Sequence, residues 1–279
     1  MTPTRYDLVS GQMIHGTPTS GTMGYPALTV TGGWVWIVLQ VGTETQVMQI
    51  DPSTLAVQAQ RFLPATDDSS FPPVPVLTAT VGGPLWVADG DHLWSLNPST
   101  GVVENEVGAG NEIDSMSTDP TGELLYTGGQ APGQDGMVVT EYDARTGQEL
   151  VRSYQRGAIA GGTVAATNGG VWVSYRTGMA GPALELSSRD LSIIVNPSRP
   201  NGLGPFDQMM GVGSGVSDGV LWLTALNSLA CTDPGSGVLR ATEPAEVSDP
   251  VAGGGNLYAL SAAGEVVIIT PPPACFVSR

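Results

Sequence analysis

Few residues in this chain of 279 residues are suited to catalysis. His15 and His92 are its two histidines, and Cys231 and Cys275 its two cysteines. The densest cluster is Asp89-Gly90-Asp91-His92. Two carboxylates separated by a glycine form a donor pattern for calcium, and a neighbouring histidine can serve as a base. The same residues also suit a short hairpin built on Asp-Gly turn chemistry. Ser-His-Asp catalysis has no support, because neither histidine has a nucleophile motif near it. No CxxC pair or zinc-ligand spacing can be assembled. A phosphate-binding glycine loop needs a strand-to-helix junction, and helical periodicity is missing. The expectation is therefore a protein without a cofactor, with calcium at Asp89 and Asp91 as the one candidate.

Charge narrows the partners. The net charge is −16 and all ten basic residues are arginines. Such a chain repels phosphate backbones and anionic membranes, which excludes nucleic acid as an expected partner. No apolar run is long enough to span a bilayer, so no transmembrane segment is expected. Cations, neutral sugars, peptides and basic protein patches remain. Cys231 and Cys275 fall in neighbouring repeats, so one disulfide and two separate buried thiols are both open. The chain starts Met1-Thr2-Pro3-Thr4, without the charged and apolar regions of a signal peptide. The expected location is extracellular or in the cell envelope, with the signal or anchor removed; a cytoplasmic setting is the alternative.

The elements that must position any site are visible as repeats. A glycine turn leads into an apolar strand with an aromatic residue at a fixed place, as in Gly32-Gly33-Trp34-Val35-Trp36 and Gly82-Gly83-Pro84-Leu85-Trp86. The aromatics are Trp36, Trp86, Tyr126, Trp172, Trp222 and Tyr258, on average about 44 residues apart. A second motif follows, an alternating strand closed by a polar turn. Ile50-Asp51-Pro52-Ser53-Thr54, Leu96-Asn97-Pro98-Ser99-Thr100-Gly101 and Tyr142-Asp143-Ala144-Arg145-Thr146-Gly147 are examples, and Leu186-Ser187-Ser188-Arg189-Asp190 is a weaker one. Asp or Asn bonds back to the turn amides, and Gly accepts positive φ. Each repeat reads as four strands, A to D, that bury their faces by stacking on neighbouring sheets. The fold expected is all-β, a six-bladed β-propeller in one domain. Its blades span roughly 22–65, 74–108, 112–155, 160–196, 211–242 and 247–279. Residues 1–21 are expected to close the ring with an outer strand at Gln12–His15. The fragment Tyr6–Ile14 parallels Tyr142–Leu150, and closure would remove exposed sheet edges. Seven blades are the alternative.

The Asp-Pro-Ser-Thr-Gly type of turn and the Gly-Gly-x-Leu-Trp strand resemble secreted bacterial propellers of the quinoprotein-like, YVTN-like and NHL-like groups. At this level the chain is also similar to the virginiamycin B lyase propellers. The resemblance covers nearly the whole chain and implies fold far more than function. Quinoprotein dehydrogenases would imply a quinone and calcium, but their tryptophan-docking pattern is matched only in the turn. The lyase histidines have no counterpart, since His15 and His92 stand alone.

In a propeller the B–C loops and D–A connections share the face around the channel, where loops carry function. Two long D–A connections, 61–73 and 195–210, bring Asp67, Asp68, Phe71, Arg199, Phe206 and Asp207 to that face. Asp114, opening strand A of the third repeat, and Tyr175 and Arg176, beyond strand B of the fourth, complete the candidate set. The expected function is a non-catalytic binding or sensor propeller for a protein, peptide or glycan. The alternative is a metal-dependent lyase or hydrolase at the channel mouth.

Overall fold

The computed structural model describes residues 4–6, 13–15, 27–64, 74–130, 136–156, 160–167, 169–176, 183–195, 215–217, 220–225, 228–232, 239–244, 247–253, 256–261, 266–269 and 273–275. A hairpin comes first, β1 (Thr4–Tyr6) with β2 (Met13–His15). The first sheet is β3 (Ala27–Thr31), β4 (Trp34–Val41), β5 (Glu44–Ile50) and β6 (Val57–Leu63). The second is β7 (Val76–Ala79), β8 (Leu85–Asp89), β9 (His92–Leu96) and β10 (Val103–Gly108). The third is β11 (Ser115–Thr118), β12 (Leu124–Gln130), β13 (Gly136–Asp143) and β14 (Glu149–Arg156). The fourth is β15 (Ala160–Ala166), β16 (Gly170–Arg176), β17 (Ala183–Ser187) and β18 (Ile193–Val195). The fifth is β19 (Gly215–Ser217), β20 (Val220–Ala225), β21 (Ser228–Thr232) and β22 (Leu239–Pro244). The sixth has three strands among the described residues, β23 (Val247–Gly253), β24 (Asn256–Ser261) and β25 (Val266–Ile269). In every sheet the spatial order is the chain order.

The chain divides into two compact units. One comprises Met1–Asp114 with Thr121–Leu125 and Tyr142–Gln148; the other comprises Ser115–Pro120, Tyr126–Glu141 and Glu149–Arg279.

In the first unit, β4 is apolar from Trp34 to Leu39 because both of its faces are buried. Trp36 and Val38 pack with Leu85, Val87 and Trp94 of the second sheet. Ile37 and Leu39 form a separate buried cluster on the other face with Met48 and Ile50. The outer strands differ. β10 exposes Glu104, Asn105 and Glu106, and charge on an edge strand discourages pairing with another chain.

The two sequence motifs meet in space. A Cβ added to Gly101 would lie 3.0 Å from the Trp36 ring, and one added to Gly147 would lie 2.8 Å from the Trp86 ring. Each tryptophan therefore docks against the glycine turn of the following repeat. The Trp86 indole N–H donates to the Ala144 carbonyl at 2.8 Å, and the Gln49 amide donates to the Ser99 carbonyl at 3.1 Å. The ring and the glycine lie in different repeats, and only folding brings them together.

The turns share one geometry. Asp51, Asn97 and Asp143 each accept hydrogen bonds from the amides two and three residues ahead. The amide four residues on closes the loop back to the same residue's carbonyl, and Ser187 does likewise with Leu191. That fourth position takes positive φ: Gly101 at 66°, Gly147 at 71°, but Leu55 at 58° and Leu191 at 52°. A leucine there costs about 1 kcal/mol of backbone strain, offset by burial of its side chain. The Ser53 hydroxyl and the amides of Ser53 and Thr54 hold the Asp51 carboxyl below its usual range. The Thr146 amide and hydroxyl do the same for Asp143.

In the second unit, side-chain hydroxyls join the inner strands of successive sheets. Ser115 on β11 donates to the Gly162 carbonyl at 2.8 Å and accepts from the Val164 amide at 3.1 Å, while Ser117 accepts from the Ala166 amide at 2.9 Å. Polar groups along the edge of β15 are thereby satisfied without a fifth strand. Cys231 and Cys275 form a disulfide that ties β21 to the 3₁₀ turn Pro273–Cys275. Of the two readings left open by sequence, the bonded one is present.

The N-terminal fragment differs from expectation in its partner. Met13–His15 pairs with Thr4–Tyr6, and no described pairing joins it to the last sheet. The likeness to Tyr142–Leu150 covers a whole C–D hairpin, and a strand pairs most readily with the neighbour across a short turn, where loop closure costs least.

Candidate functional site

The second sheet carries the best-defined polar end among the described residues. β8 and β9 are joined by the two-residue turn Gly90-Asp91, with Gly90 at φ 59° and Asp89 opposite His92. This hairpin sends the two aspartates into different surroundings. Asp89 is 2% exposed and accepts a hydrogen bond from the Thr45 hydroxyl of β5. Asp91 is exposed at the turn. The spacing that suggested two calcium ligands thus places one carboxylate in the core and the other at the surface. Among the described residues no three His, Cys, Asp or Glu side chains are grouped as a metal site would need.

His92 is held between carboxylates. Its Nδ1 is 3.0 Å from Glu106 Oε1, its Nε2 is 3.5 Å from Asp91 Oδ1, and its ring stacks on Trp94 with centroids 5.5 Å apart. The Glu106 contact engages one ring nitrogen, and the Trp94 ring covers one face of the imidazole.

The connection from β10 to β11 folds onto the turn. The Ala109 amide donates to the Asp91 carbonyl at 2.6 Å, and the Ile113 amide donates to the Gly90 carbonyl at 2.8 Å. Asn111 is buried and donates to the Glu112 carbonyl at 2.8 Å. Glu112 and Asp114 are left facing solvent. Asp114 is exposed overall, while its carboxyl is partly desolvated. That desolvation, reinforced by the charge of Glu112, pushes it up to about 7. The result is a rigid, acidic surface made by Asp91, Glu106, Glu112 and Asp114. Such a surface can attract a cationic group, and part of its charge titrates near neutrality.

Of the other residues singled out by sequence, Tyr175 and Arg176 end β16, where their backbones pair with Gly162 and Ala160. Asp67, Asp68, Phe71, Arg199, Phe206 and Asp207 lie outside the described residues. Sequence reasoning missed Glu106 and Glu112. Glu106 meets His92 only through the β9–β10 pairing, a partnership 14 residues apart that no local motif announces.

No helix among the described residues is long and apolar enough to cross a membrane. No protein-family model and no curated protein matches the chain. Solved structures do. The Dos1 propeller aligns with a TM-score of 0.64 at 11% identity, covering 95% of this chain and 72% of its own. BamB from Moraxella catarrhalis aligns at 0.58 and 13%, covering 86% of this chain and 70% of its own. A luciferin-regenerating enzyme aligns at 0.54 and 14%, covering 86% and 83%. At such identities the likeness is one of fold, and the fold of this chain is that of the β-propellers.

Proposed function

We propose that this chain is a non-catalytic binding propeller whose loop face takes a basic segment of a protein or peptide partner. The carrying observation is the rigid acidic surface at the turn of the second sheet, where Asp91, Glu106, Glu112 and Asp114 stand with a histidine between two carboxylates. Backbone hydrogen bonds hold the connecting loop, so little entropy is lost when a partner docks. The candidates in 61–73 and 195–210 would extend the same face. Binding of an arginine-rich peptide tests the reading by fluorescence anisotropy. Affinity should fall with salt and rise as pH passes upward through about 7, where Asp114 gains its charge. Neutralising Asp91, Glu112 and Asp114 to their amides should weaken binding about tenfold or more. Equal affinity in the variant, or a preference for glycans over the peptide, would overturn it.

The setting proposed is an oxidising one, outside the cytoplasm, because the disulfide is buried and closes a long loop. The architecture proposed is a closed ring of six blades. Three observations support it. The central strands β4 and β5 of the first sheet are buried on both faces. In sequence, Asp7 and Gly11 repeat the spacing of Asp143 and Gly147. Aromatic and turn residues are also matched in size in the sequence: Trp36, Trp86 and Trp172 are followed one repeat on by Gly101, Gly147 and, at the same spacing after Asp233, Gly237, whereas Tyr126 is followed by Leu191. A ring completed by the N-terminal hairpin extends this rule to every repeat, with Trp222 followed by Gly11 and Tyr258 by Leu55. Removing residues 1–15 should lower the melting temperature by about 5 °C or more. An unchanged melting temperature would argue against the hairpin's role in closure.

A further inference from the structure

Gln49, Ser95, Glu141, Glu185 and Cys231 each stand two residues before the start of their repeat's polar turn. Four of them lie directly opposite the repeat's aromatic: Gln49 opposite Trp36, Ser95 opposite Trp86, Glu185 opposite Trp172 and Cys231 opposite Trp222. In the first repeat this position does a definite job, since the Gln49 amide donates to the Ser99 carbonyl in the next repeat's turn. In the third repeat the same place holds Glu141, and an ionised carboxylate has no proton to give.

The surroundings of Glu141 sharpen the conflict. Glu141 is 4% exposed, Tyr126 0% and Asp119 9%. The Tyr126 hydroxyl donates to the Glu141 carboxyl. The other carboxyl oxygen, Oε2, is buried with no hydrogen-bond partner among the described residues. Repeat equivalence with Ser99 assigns the place ahead of Glu141 to the Arg189 carbonyl, which would be another acceptor. Two facing acceptors need a proton between them, and an unpaired buried charge would be expensive.

We propose that Glu141 is a protonated acid at neutral pH, doing the work of a glutamine and giving the third repeat a proton-dependent hold on the fourth. The groups that act on it are consistent. Burial raises its pKa most, the Tyr126 hydrogen bond works in the opposite direction, and the charge of Asp119 raises it further. Glu185 occupies the equivalent place one repeat on and is likewise buried.

The sign of the pH effect follows from linkage. The native state holds a proton over a range in which the unfolded chain has released it, so stability falls as pH rises from the ordinary glutamate range through the raised native value. Asp114 contributes in the same direction up to about 7, so the effect is read as a difference between wild type and Glu141→Gln. The variant should melt close to wild type near about pH 5 and exceed it increasingly toward about pH 9, by about 5 °C. Infrared spectra of the wild type at neutral pH should show a protonated carboxyl band that the variant lacks. A melting difference that does not change with pH would overturn the proposal, as would the absence of that band. Loss of stability on adding a chelator in wild type alone would place a cation where we place a proton, and would overturn it equally.

Discussion

Trp86→Ala is expected to lower the unfolding free energy by about 3–5 kcal/mol, measured from urea denaturation midpoints at unchanged slope. Trp86 is fully buried, and its indole N–H satisfies the Ala144 carbonyl in the following repeat's turn. Truncation removes the packing, opens a cavity and orphans that carbonyl. Trp86→Phe keeps most of the packing and loses only the hydrogen bond, so about 1–3 kcal/mol should go. The glycine that receives the ring is constrained twice. Gly147 sits at φ 71°, and a Cβ there would meet Trp86 at 2.8 Å and Val107 at 2.9 Å. Gly147→Ala should therefore destabilise by about 1–3 kcal/mol. The pairing of Tyr126 with a leucine turn suggests a sharper test. Trp86→Tyr combined with Gly147→Leu should cost less than the sum of the two single changes, by about 1 kcal/mol or more. Simple additivity would mean that ring size and turn residue are not matched.

Loss of the disulfide is the second large effect. Cys231 and Cys275 are 44 residues apart, and closing a loop of that length removes unfolded-state entropy worth about 4 kcal/mol. Cys231→Ala with Cys275→Ala is expected to forfeit about 2–4 kcal/mol of this, seen as a lower thermal midpoint. The staple holds the segment after the last sheet near the fifth sheet, where Arg240 also donates to the Cys275 carbonyl at 3.2 Å. Both half-cystines are buried, at 0% and 1% exposure, so mild reductant should act only as the protein opens. A strong reductant in urea should lower the wild-type midpoint and leave the double variant unmoved. A wild-type midpoint insensitive to reduction would refute the staple.

The candidate site was legible in unequal parts. Asp89, Asp91 and His92 stand out in sequence because they fall within four residues, and a two-residue hairpin turn is a local event. Their different roles were not legible, since Asp89 is buried by Thr45 from another sheet and His92 is engaged by Glu106 from another strand. Glu141 gave no signal by itself. It becomes conspicuous only beside Gln49, which donates to the next repeat's turn, whereas the Glu141 Oε2 is buried without a partner among the described residues.

Asp89, Asp91 and His92 are thus held by repeats that residue spacing alone reveals. Glycine turns, the fixed aromatics and the Asp-to-Gly spacing are local patterns, set by backbone sterics and by hydrogen bonds within a few residues. They specify four-stranded sheets of the propeller kind. Only the tertiary structure decided what those residues are for. It docks each tryptophan of the first two repeats on the glycine of the next, pairs the N-terminal strand with its own neighbour, and separates Asp89 from Asp91. Each of these depends on burial and on partners far away in the chain, which residue spacing alone does not encode.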